Sequence, residues 1–102
     1  MIAIEVPKEK LRDFCTKWKV TELSLFGSVT RPEEFRADSD VDVLVRFAES
    51  AHITLFDLAH MEIELQDIFG RDIDLADKVG LEESRNRARA DRILSTAVPL
   101  EL

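Results

Sequence analysis

The apolar positions along this chain change their period from one stretch to the next, and each change marks an element. Leu11, Phe14, Cys15 and Trp18 recur at i, i+3, i+4 and i+7 behind Pro7, a residue suited to a first helical turn, which predicts a helix over residues 7–18. In "VTELSLFGS" the period falls to two, with Leu23 and Leu25 on one face. A strand therefore runs to residue 26, where Gly27 allows a sharp turn. Residues 29–39 are polar and charged, with Pro32 among them, and read as a loop. "SDVDVLVRF" is a second strand, with Val41, Val43 and Val45 directed into a core and Asp40, Asp42 and Leu44 to the other side. Thr54 and Asp57 form a capping box, and apolar residues run through Leu55, Leu58, Leu65 and Phe69 to a stop at Gly70. These signals give a second helix over residues 55–69. "RDIDLA" is a short third strand with Ile73 and Leu75 on one face and Asp72 and Asp74 on the other. From Leu81 to about Thr96 no breaker interrupts a charge-rich segment containing Ala88, Ala90, Ile93 and Leu94, which predicts a third helix before Pro99 ends the regular structure.

The resulting order, α-β-β-α-β-α, is that of a small α/β (α+β) sheet with helices packed mainly on one face. No repeat, low-complexity tract or flexible linker divides residues 1–102, so a single domain is expected. Composition fits that picture: 45% hydrophobic and 34% charged residues are ordinary for a globular chain. A formal charge of -7 argues against general nucleic-acid binding, which normally needs a basic face. A single cysteine, Cys15, excludes an internal disulfide and fits a reducing compartment, with the thiol expected in the core. No run approaches the roughly 20 apolar residues of a membrane span, and the N-terminus lacks a signal pattern, so the cytoplasm is the expected location.

The chemistry concentrates in the polar positions of the strands. Asp40 and Asp42 stand side by side on one face of the second strand, where like charges repel unless a cation lies between them. The pair is thus either a solvated strand end or a divalent-metal site. Asp74, on the next strand, is the best candidate for a third carboxylate, although Asp72 shares its face and competes for that place. The Gly27-Ser28 turn offers backbone N–H groups and a hydroxyl to an anion such as phosphate, or is simply a turn. Three carboxylates and a phosphate-gripping turn suffice for two-metal nucleotidyl transfer without histidine or cysteine. His52 and His60 lack metal-site spacing and read as surface or helix-face residues.

"LFGS" ending one strand, "SDVD" opening the next and "GRDIDL" after a helix, in that order, resemble the minimal nucleotidyltransferase (MNT) family of the polymerase β nucleotidyltransferase superfamily, from about Leu11 to Pro99. The resemblance implies the polymerase β-like fold, a mixed sheet with the site at its open end. It implies that Gly27 and Ser28 bind the nucleotide triphosphate, that Asp40 and Asp42 ligate two Mg²⁺ ions, and that Asp74, favoured over Asp72, ligates one of them. Arg31 matches an arginine that commonly follows the turn, where it contacts a phosphate. The loop from Ser28 to Asp40 is slightly longer than in relatives and carries Pro32, Glu33, Glu34 and Phe35 where they have small or basic residues.

A chain of this length has no room for a separate acceptor-binding domain, so the acceptor is expected on another chain. By resemblance the partner is a HEPN-domain ribonuclease toxin, and this chain is the antitoxin that transfers AMP from ATP to a tyrosine of that toxin. A non-catalytic antitoxin that silences by binding alone, and transfer to RNA or a small molecule, are the alternatives. Arg85, Arg89 and Arg92 fall at i, i+4 and i+7 on the expected last helix and read as a solvated face or as a contact to phosphate or a partner. Val98, Leu100 and Leu102 exceed what a tail needs, and pack on a sheet edge or a partner.

Overall fold

A computed structural model describes residues 2–102. Helix α1 (Lys8–Trp18) follows Pro7 and ends at Lys19, whose left-handed backbone (φ 57°) lets its N–H cap the Cys15 carbonyl and turns the chain directly into β1 (Val20–Phe26). A single 3₁₀ turn, Gly27–Thr30, follows β1 at once. After the loop come β2 (Val41–Phe47) and α2 (Leu55–Phe69). Both bonds of the Thr54–Asp57 capping box form at the start of α2, and Gly70 closes it in the left-handed region. Strand β3 (Ile73–Asp77) leads without a loop into α3 (Lys78–Glu82), because the Asp77 carboxylate accepts the Val79 N–H and starts the helix there.

The expected third helix over residues 81–96 is two helices. Helix α3 stops at Glu82, and α4 (Arg87–Thr96) starts afresh where the Asn86 side chain accepts the Arg89 N–H. Competition by that short amide for the backbone breaks a segment whose composition shows no breaker. Regular structure also continues past the expected end: β4 (Val98–Pro99) pairs with Leu25 and Ser24 of β1, so this part of the apolar C-terminal segment covers a sheet edge.

The sheet is mixed, in the order β3-β2-β1-β4. Strands β1 and β2 are antiparallel, whereas β2 and β3 are parallel and joined through α2, the crossover that parallel neighbours require. Leu23 and Leu25 of β1, Val41, Val43 and Val45 of β2 and Ile73 of β3 are buried on one face with Leu11 and Phe14 of α1 and Met61 and Leu65 of α2. The two longest helices thus lie on one face, as the apolar pattern requires. The opposite face is not left to solvent. Phe26 and Leu44 are buried there under Leu81, Ala90 and Ile93, so α3 and α4 cover the side on which Leu44 was expected to point outward. Cys15 is half-buried against the main core, where desolvation pushes its thiol pKa up. His52 and His60 are exposed. Among the described residues, no helix is long and apolar enough to cross a membrane.

Candidate active site

Strand register alone brings three of the expected residues together. Asp42 lies opposite Phe26 of β1 on one side and Asp74 of β3 on the other. Gly27 follows Phe26, so the turn, the D-x-D pair and the third aspartate meet at one end of the sheet. Strands sit about 4.8 Å apart, which makes Asp42 and Asp74 immediate neighbours on the face that α4 partly covers.

The glycine is required by this arrangement. Gly27 has φ +73°, and a Cβ built on it would stand 2.0 Å from Asp42 Oδ2 and 3.0 Å from its Cγ. The Asp42 carboxylate therefore lies directly against the backbone of the turn, in space that only glycine leaves free. The turn is held by the Thr30 hydroxyl donating to the Gly27 carbonyl (2.7 Å) and by the Arg31 N–H donating to the Ser28 carbonyl (2.9 Å). Helix-like turns leave their leading N–H groups without internal partners, the property that suits them to anions.

Electrostatics single out Asp42. Burial pushes its carboxyl pKa up to about 6, and the neighbouring Asp74 and Asp40 carboxylates push in the same direction. Arg31 and Arg89 oppose the rise. The guanidinium of Arg31 is paired with Glu34, the main cause of its own raised pKa, yet still acts on Asp42. Asp40 and Asp74 are exposed. Asp72 occupies a different position: it lines a cleft with Gln66 and Gly70 at the end of α2, its carbonyl accepts the Val41 N–H (2.9 Å), and it is not among the charges acting on Asp42.

Among the described residues no three His, Cys, Asp or Glu side chains converge at metal-binding spacing. The donor chemistry suits a hard dication: three carboxylates, one of them held back from ionising first by burial and then by the other two, are stabilised as a group by added positive charge.

Arg89 belongs to the stripe that the sequence leaves open between a solvated face and a contact to phosphate or a partner. The stripe of Arg85, Arg89 and Arg92 assumed one continuous helix; Arg85 lies outside α4, and Arg89, in the first turn of α4, faces the carboxylate cluster closely enough to act on it. Its signal in the sequence was the Asn86 cap three residues before it, which restarts the helix over the site.

Residues 7–98 match the family model described as "Nucleotidyltransferase domain". A candidate protein adenylyltransferase of Methanocaldococcus jannaschii is 34% identical over 91 residues, covering 89% of this chain and 90% of the relative. A solved structure described as that of a candidate minimal nucleotidyltransferase is 32% identical, with a TM-score of 0.69 over 91% of this chain and 88% of that one. Two toxin–antitoxin structures share the fold at lower identity. One, crystallised with AMP-PNP, gives a TM-score of 0.70 at 19% identity over 94% of this chain and 73% of that one. The other holds a tri-AMPylated HEPN toxin of Shewanella oneidensis with its MNT antitoxin, at a TM-score of 0.60 and 20% identity over 92% and 65% of the chains.

Proposed function

The chain belongs to the nucleotidyltransferase domain family and is a nucleotidyltransferase, and from that premise we propose that it is an antitoxin that transfers AMP from ATP to a tyrosine of a HEPN-domain toxin, silencing it. The observation that carries this reading is the register that sets Asp42 between the Gly27 turn and Asp74. The protein adenylyltransferase relative and the AMPylated HEPN toxin in the neighbouring complex support the acceptor class, and the AMP-PNP complex supports ATP as donor. Exposed Leu55, Phe56 and Ile63 on α2 are in keeping with a protein partner.

In this mechanism Gly27 and Ser28 receive the triphosphate, since a backbone without Cβ lets it approach the N–H groups. Asp40, Asp42 and Asp74 would hold two Mg²⁺ ions, which when bound neutralise the triphosphate and lower the pKa of the attacking hydroxyl. Arg31, released from Glu34, contacts a phosphate, and Arg89 offsets negative charge from the α4 side. The tyrosine oxygen attacks the α-phosphorus in line, its proton passes to solvent, and the bond to pyrophosphate breaks. Half-burial of Asp42 leaves less water competing for the charges at that point.

Intact-protein mass spectrometry of the HEPN partner after incubation with this protein, ATP and Mg²⁺ tests the proposal. One or more AMP additions, absent with Asp42→Asn, are expected. An unmodified toxin, or equal modification by the Asn variant, would overturn it; a stable complex with no added mass would identify an antitoxin that works by binding.

A further inference from the structure

Arg71 makes an unusual set of contacts for a partly exposed arginine. Its Nη1 donates to three backbone carbonyls of one loop, those of Arg36 (3.1 Å), Ala37 (2.9 Å) and Ser39 (3.2 Å). The guanidinium carbon also lies 4.5 Å from the centroid of the Phe35 ring, a cation–π contact, and Phe35 packs on the main core. Within the loop, the Ser39 N–H donates to the Arg36 carbonyl (3.1 Å) and the Arg36 N–H to the Ser39 hydroxyl (2.9 Å). The three carbonyls are thus held around one cationic nitrogen, whose two hydrogens are shared among them.

The mounting of Arg71 is rigid. Directly before it Gly70 caps α2, with its N–H on the Gln66 carbonyl (2.7 Å), and two residues after it β3 begins. The next residue, Asp72, accepts the Val41 N–H, so the start of β2 is fixed to the same segment. Between those anchors lies Asp40, directly after Ser39 and directly before Val41. Phe35, from the same loop, supplies the aromatic ring under the guanidinium.

We propose that Arg71 is a positioning residue for the site: by clamping residues 36–39 it fixes the backbone that presents Asp40 to the metal-nucleotide complex. The inference deepens the reading above and rests on it. A guanidinium is suited to this task and an ammonium is not, because only the planar group both stacks on Phe35 and fans its hydrogens across several carbonyls, and it never deprotonates. Residues that orient a metal ligand from behind typically contribute 10–100-fold to metal affinity or activity, and that is the size of effect expected here.

The test compares wild-type protein with Arg71→Lys and Arg71→Ala. Calorimetric titration of Mg²⁺ in the presence of AMP-PNP should show about 10-fold to 100-fold weaker metal affinity in both variants, with Lys no better than Ala. Hydrogen exchange should quicken at residues 36–40 while β1 and β2 keep wild-type protection. Wild-type metal affinity in either variant would overturn the proposal, as would rescue by Lys. Loss of protection across the whole sheet in the Lys variant would also overturn it, since Arg71 would then be a general structural prop. If the wild-type protein itself shows no metal-dependent AMP-PNP binding, the site reading fails, and this inference with it.

Discussion

Replacing Asp42 with Asn should make the protein more stable and inactive at once. The Asp42 carboxyl has its pKa raised from 3.8 to about 6, first by burial, then by Asp74 and Asp40, with Arg31 and Arg89 pulling the other way. The folded state thus binds the proton more tightly than the unfolded chain, and ionising Asp42 works against folding. The penalty is absent well below pH 3.8, grows between pH 3.8 and 6, and is complete above pH 6. For a half-buried group screened by water such a shift is worth about 1–2 kcal/mol. Asn is isosteric with Asp and carries no charge, so Asp42→Asn should gain that amount at pH 7.5, which for a domain of this size is roughly 5–10 °C in melting temperature. By pH 4.5 the gain should fall to roughly half, because a large share of Asp42 carboxyls is then protonated in the folded protein. Thermal unfolding followed by circular dichroism, in buffers containing a metal chelator, measures both. An Asn variant no more stable than wild type at pH 7.5, or one whose gain is the same at pH 4.5, would refute the reasoning. Adding Mg²⁺ with AMP-PNP should raise the melting temperature of the wild-type protein and leave that of the variant nearly unchanged.

Gly27→Ala forces a side chain into the left-handed region and against Asp42, and should cost about 2 kcal/mol or more in chemical denaturation while removing nucleotide binding, which fluorescence titration with an ATP analogue would show. Arg89→Gln removes one of the two positive charges acting on Asp42, so the Asp42 carboxyl should titrate at higher pH, a shift read directly from its carbon resonance by NMR; an unmoved midpoint would place Arg89 outside the site. Thr54→Ala breaks the capping box of α2, whose bonds are 3.1 Å and 3.0 Å, and should lower unfolding free energy by about 1 kcal/mol with no change in ATP binding.

Much of this arrangement was legible in the residues. Periodicity placed α1, β1, β2, α2 and β3, and the alternation within "SDVDVLV" put Asp42 on the face away from the valines, where the structure has it. What periodicity missed depends on competition between short polar side chains and the backbone. Asp77 starts a helix earlier than the expected one, and Asn86 starts another inside it with no Gly or Pro to mark the break, so one expected helix became two. The same break undid the arginine stripe, since Arg85 and Arg89 share a face only on an unbroken helix. Contacts between elements distant in sequence, such as the Asp42 carboxylate against Gly27 or Arg71 on residues 36–39, follow from the sheet register and the loop's own path, and neither is written in a local pattern.

The sheet order β3-β2-β1-β4 gives the molecule a schedule as well as a shape. The carboxylates and the turn belong to strands made early, but Ala90 and Ile93, which cover Phe26 and Leu44 beside them, and Val98, which pairs with Leu25, come last of the folded elements. On a ribosome adding about 5–20 residues per second, the stretch from Arg87 to Pro99 takes roughly one to three seconds to appear. Until that stretch is made and folded, a nascent chain holds every proposed metal ligand yet lacks the helix that carries Arg89 and dries the face behind the site. Folding of this last stretch over the sheet, rather than synthesis of the acidic residues, is then the step that closes the face behind the site.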